Sequence, residues 1–167
     1  RMRLISDKNV QISDRAKLLF KELEGGDRMT VYQEYKKALT AQVDAKLGKA
    51  VFQKACSACH TYQNVGGKVG PDLTGVKNQP ADALLLHILV PNYEVLPAYQ
   101  SISISTNDGR SFSGWLVSEN ENSLTLRTTF GTDESILRRN ISSLSNSGLS
   151  LMPDGLEQSI SKDEMAK

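Results

Sequence analysis

The sequence predicts an α+β protein: a helical body with an inserted small antiparallel β-barrel of SH3/Sm-like pattern, preceded by extra N-terminal helices. Three observations carry this reading. Apolar residues recur at helical spacing as far as Val90, the period falls to two from about Tyr99, and a helix start returns at Ser161. The chain has 167 residues, which suits one domain or two small ones.

The first helical stretch, residues 12–46, places Ala16, Leu18, Leu19, Phe20 and Leu23 before a Gly25-Gly26 break. Met29, Val31, Tyr32, Tyr35 and Leu39 resume the spacing, and Ser13-Asp14 offers an N-cap. A further helix over Ala45 to Ala58 turns Leu47, Ala50, Val51 and Phe52 to one side and ends in Cys56-Ser57-Ala58-Cys59-His60. Asn64 to Gly75 reads as a glycine-rich loop, and Ala81 to Val90 as a short helix stopped at Pro91.

Ser101-Ile102-Ser103-Ile104-Ser105 then alternates into an Asn107-Asp108-Gly109 turn. Arg110 to Val117, Ser123 to Thr128, Ser135 to Arg138 and Ile141 to Leu144 complete five short strands, the pattern of a small barrel or strongly curled sheet. Gly148 to Gly155 reads as a loop holding Met152-Pro153, and Ser161-Lys162-Asp163-Glu164 as a capping box.

Composition bounds the function. The chain is 39% hydrophobic and 23% charged, ordinary for a soluble globular protein. No apolar run reaches the length of a membrane span, since the longest, Ala83 to Val90, contains His87. Residues 1–54 carry 12 Lys/Arg against 7 Asp/Glu, and residues 55–167 carry 8 against 12. This asymmetry reads as a solvated helical face, and neither charge density nor aromatic interleaving points to nucleic acid.

Both cysteines lie in Cys56-Ser57-Ala58-Cys59-His60, which reads as a covalent haem attachment site. Two thiols add to the two vinyl groups of one porphyrin while the following histidine ligates the iron. A zinc site would want a second Cys or His pair, and a thioredoxin-like pair would want a strand before the motif and a long helix after it. Here a helix precedes the motif and a glycine-rich loop follows. Haem of this kind is attached outside the cytoplasm, so a periplasmic or otherwise extracytoplasmic location is expected, with any targeting segment upstream of Arg1.

The second face of the iron needs a ligand from a distant segment. Met2 is terminal, and Met29 and Met165 read as packing residues. His87 sits in a Leu-rich helix, where a lone histidine is more often structural than a ligand. Met152, in Ser150-Leu151-Met152-Pro153, is the main candidate; its thioether is a soft, neutral donor that raises the potential relative to two histidines. A loop methionine filling a core gap is the plain alternative. Trp115, Tyr99 and Arg110 are candidates to contact haem propionates, with barrel packing the plainer account of Trp115.

Several segments together resemble class I c-type cytochromes, and more closely the haem-binding domain family of planctomycete and verrucomicrobial proteins. They are Gly48 to Phe52, Cys56 to His60, Val69-Gly70-Pro71-Asp72-Leu73-Thr74-Gly75, Leu84 through Asn92, and Ser150 to Pro153. The resemblance spans residues 47–160. It implies a cytochrome c-like helical haem domain over 47–167; the strand-rich stretch at about 98–146 departs from the compact pattern and reads as an insertion, with residues 1–46 an N-terminal extension. It further implies that His60 and Met152 are the axial ligands of the haem c iron, and that the Pro71 carbonyl accepts a hydrogen bond from the far ring nitrogen of His60.

The functional expectation is electron transfer rather than catalysis. The resemblance implies a redox partner or a fused dehydrogenase as electron donor. The alternatives are a haem sensor or peroxidase-like site with a displaceable Met152, and an interaction module in which haem is a structural staple.

Overall fold

The computed structural model describes residues 4, 8–20, 28–40 and 42–167. Met2, Leu23 and the Gly25-Gly26 break lie outside the described residues. Helix α1 covers Val10–Phe20, α2 Arg28–Lys36, α3 Ala45–Ala55, α4 Ala81–Leu89 and α5 Lys162–Met165. Helix α1 starts ahead of the expected Ser13-Asp14 cap: the Asn9 side chain instead accepts the Gln11 amide, and Ser13 is buried. Asp44 caps α3 by accepting the Lys46 and Leu47 amides.

Strands β1 (Thr61–Tyr62) and β2 (Val65–Gly66) form a two-stranded hairpin within what the sequence presents as loop. Gln63 and Asn64 occupy its turn with φ of 50° and 66°. The other five strands, β3 (Gln100–Thr106), β4 (Ser111–Glu119), β5 (Ser123–Thr128), β6 (Asp133–Leu137) and β7 (Ile141–Ser150), form one antiparallel sheet in the order β6-β5-β4-β3-β7.

The five strands form one antiparallel sheet, and no pairing of β6 with β7 closes it into the expected barrel. Strand β6 pairs with β5 and β7 with β3, and the 3-10 turn Arg138–Asn140 carries the chain between the two edges without joining them. Strand β7 exposes most of its residues, Leu144 at 48%, so it lacks the apolar row that closure would bury. Strand β7 also runs further than the sequence suggests. Residues 148–150, expected as loop, belong to β7, and Ser150 is in register with Gln100.

Two cores result. Ile104, Leu124, Leu126 and Ile136 fill the inner face of the sheet, with Ile102, Phe112, Leu116 and Ile141 packed around them. These are the inward positions of the alternating strands, which is why period two was visible in the sequence. The helical core joins Tyr32 and Tyr35 of α2 to Leu85, Leu89 and Val90, with Met29 and Met165 packed against it. Helix α2 thus shares a core with α4. Helix α5 lies on α3, where the Lys167 backbone passes so close to Gly48 that a Cβ there would come within 2.5 Å of the carbonyl oxygen.

Candidate functional site

The Cys56-to-His60 turn extends the end of α3. The Cys56 amide is held by Phe52, and the Cys59 and His60 amides both point at the Cys56 carbonyl, at 3.1 and 2.9 Å. Cys56 and Cys59 are free thiols three residues apart, Cys56 half-buried and Cys59 exposed. Burial, and then the neighbouring Cys59, push the Cys56 thiol above its ordinary value, so it stands protonated at neutral pH. Among the described residues no three His, Cys, Asp or Glu side chains converge as a metal cluster.

The segment after the motif folds back onto it. The Gly67 amide donates to the Ser57 carbonyl and the Gly70 amide to the Cys59 carbonyl, both at 2.7 Å. Buried Thr61 adds a hydroxyl bond to the Gly67 carbonyl at 2.7 Å, and the Leu73 amide returns to Thr61. Tyr62 packs its ring against Phe52 of α3 at a centroid distance of 6.0 Å. This lacing brings the Pro71 carbonyl to 2.8 Å from Nδ1 of His60. An N–H on Nδ1 donates there and leaves Nε2 as the ring nitrogen with a lone pair for a metal. Gly70 lies flat on the ring: a Cβ there would sit 2.7 Å from Nδ1 and 2.9 Å from Nε2.

Met152 is half-buried, just beyond the end of β7. Its amide donates to the Ser150 hydroxyl at 3.0 Å, and the Ser150 amide donates to the Asn92 side chain at 2.8 Å. The loop is therefore tied to the Pro91-Asn92 exit of α4. His87 is exposed and faces Glu94 at 3.9 Å.

Tyr99 and Trp115 stand together, ring centroids 5.2 Å apart. The Trp115 N–H is committed to the Val69 carbonyl at 2.5 Å. Arg110 pairs with Asp108 in the β3–β4 turn at 2.9 Å and is largely exposed. Arg127 was not singled out by the sequence, yet it stacks on Trp115 and donates to the Lys68 carbonyl. Tyr99, Trp115 and Arg127 border a cavity of about 500 Å3 whose other walls include Lys68, Gly70 and Pro71.

Residues 43–108 match the family model described as cytochrome c oxidase, cbb3-type, subunit III. The chain carries a c-type cytochrome domain. A cytochrome c-553-like protein of Synechocystis is 36% identical over 52 residues, which cover 31% of this chain and 49% of that relative. The chain thus spans about half the length of the curated relative it matches.

A c-type cytochrome domain binds haem c with its iron, and the donor set of this chain fits that group. Two adjacent free thiols are followed by an imidazole whose Nδ1 already meets a carbonyl, and a glycine leaves the ring room. Among the described residues no helix of the cytochrome is long and apolar enough to cross a membrane.

Proposed function

We propose that this cytochrome is an extracytoplasmic one-electron carrier in which Cys56 and Cys59 would hold haem c, with His60 and Met152 as the ligands of its iron. When bound, haem c supplies a single reversible iron couple. The residues of the chain do the rest. Cys56 and Cys59 would hold the group as thioethers, each S–H adding across one vinyl double bond, and the Pro71 carbonyl fixes the tautomer and plane of His60. Asn92 and Ser150 hold the backbone that carries Met152.

The 2.8 Å contact between His60 Nδ1 and the Pro71 carbonyl carries this reading most directly, because it leaves Nε2 as the donor to the iron. Met152 is favoured over His87 because its loop is tied to Asn92 and braced internally by Ser150, whereas His87 lies open beside Glu94. The electron donor would be a partner protein or a fused dehydrogenase, and one-electron exchange asks no side chain of the chain to act as acid or base.

The test is spectroelectrochemical titration of the holoprotein. A reversible one-electron couple, low-spin in both oxidation states and slow to bind CO, is expected. A high-spin spectrum with prompt CO binding would replace electron transfer with the sensor or peroxidase-like reading.

A further inference from the structure

We propose that the five-stranded sheet positions the His60 imidazole, with Trp115 and Arg127 as positioning residues that set the potential of the iron. The inference rests on His60 being an axial ligand.

Trp115 and Arg127 face each other across β4 and β5 in direct register. Both reach the same strip of backbone: the Trp115 Nε1–H donates to the Val69 carbonyl at 2.5 Å, and Arg127 Nη1 donates to the Lys68 carbonyl at 3.2 Å. Neither side chain is free to wander. Arg127 is held by Asp133 through Nε and Nη2 at 2.6 and 2.7 Å, and its guanidinium lies 5.4 Å from the Trp115 ring centroid. Tyr99 braces Trp115 by ring contact, and the Val69 side chain meets the β5–β6 turn at Gly131. A planar fork fixed on one side by a carboxylate transmits position better than a flexible ammonium would.

The two residues that follow touch His60. Gly70 rests on its ring and Pro71 receives its Nδ1. Four consecutive residues therefore run from the sheet to the imidazole, and the last is the acceptor that governs how strongly the ring donates. A firm Nδ1–H···O bond makes the imidazole a better donor and favours the oxidised iron. Releasing Val69 lets the Pro71 carbonyl drift, weakens that bond and favours the reduced iron.

The experiment compares the holoprotein with Trp115→Phe, which keeps an aromatic ring and removes the N–H. The expected result is a higher midpoint potential with an unchanged low-spin spectrum, and several-fold faster solvent exchange of the His60 ring proton by NMR. Arg127→Lys, which keeps the charge and loses the fork, shifts both readouts the same way by less, and carries the test if Trp115→Phe does not take up haem. Ser113→Ala, on the same strand but exposed and without a bond to the loop, leaves both unchanged. A potential and exchange rate in Trp115→Phe and Arg127→Lys equal to wild type, or an equal shift in Ser113→Ala, overturns the proposal. Failure of the ligand reading is distinguishable, since it shows in the wild-type spectrum before any variant is made, and it overturns the proposal too.

Discussion

Arg28 grips Glu157 with both terminal nitrogens, at 2.5 and 2.6 Å, while its Nε donates to the Leu89 carbonyl. One side chain thus joins α2, the end of α4 and the 3-10 turn Leu156–Gln158 that follows the Met152 loop. Tyr35 adds its hydroxyl near the Glu157 and Ile160 carbonyls. Helix α2 is a strap over the segment leaving the proposed ligand.

Both partners of this pair are mostly buried, with side-chain exposures of 16% and 13%. Removing one leaves the other charge poorly solvated, so Arg28→Met is expected to cost about 2 kcal/mol, below the range for a fully buried pair. Arg28 holds the Glu157 carboxyl below its ordinary 4.5. The stability it contributes is present above pH 4.5 and is lost as pH falls through the lower folded value. Urea unfolding of wild type and Arg28→Met at neutral and acid pH checks this; the difference between them narrows as Glu157 protonates.

Glu164 closes the capping box of α5. Its carboxylate accepts the Ser161 amide at 2.9 Å and pairs with Lys54 of α3 at the same distance. These bonds, the Ser161 amide first, bring its pKa from 4.5 to about 2. A depressed carboxylate stabilises the fold above the unfolded value, and that contribution fades as pH drops from 4.5 to about 2. Amide exchange in α5 is expected to accelerate over that window, whereas Glu164→Gln exchanges faster already at neutral pH and shows little further change.

Much of this architecture was legible in the chain. Ser101 to Ser105 and Ser123 to Thr128 alternate because Ile104, Leu124 and Leu126 point into one core. The haem motif was visible because its chemistry needs fixed spacing. What was hidden depends on long-range contact or weak local signal. From Ser145 to Gly148 β7 is exposed and carries no apolar side chain, so nothing in its pattern separates strand from loop. The β1–β2 hairpin turns on Gln63 and Asn64 at positive φ, and only Asn among them signals it. Trp115 and Val69 are 46 residues apart, and their hydrogen bond leaves no periodic trace in either segment.

Gly70 offers a sharp steric test. The Cβ of Gly70→Ala would press on the His60 ring, with Nδ1 only 2.7 Å away, and the Gly70 amide is tied to Cys59. The ring must tilt or the loop must open. Gly70→Ala is expected to lose the native low-spin spectrum or fail to mature with haem. Gly75→Ala meets nothing within 4 Å and is expected to behave as wild type. Visible spectra of the two variants side by side decide the matter.

His60 and Met152 are the proposed pair of iron ligands. The most direct test of that assignment is the oxidised visible spectrum of the holoprotein beside Met152→Ala and His87→Ala. The weak long-wavelength charge-transfer band of sulfur–iron ligation is expected in wild type and His87→Ala, and is expected to be lost in Met152→Ala. A low-spin spectrum that survives Met152→Ala unchanged and collapses in His87→Ala would contradict the assignment.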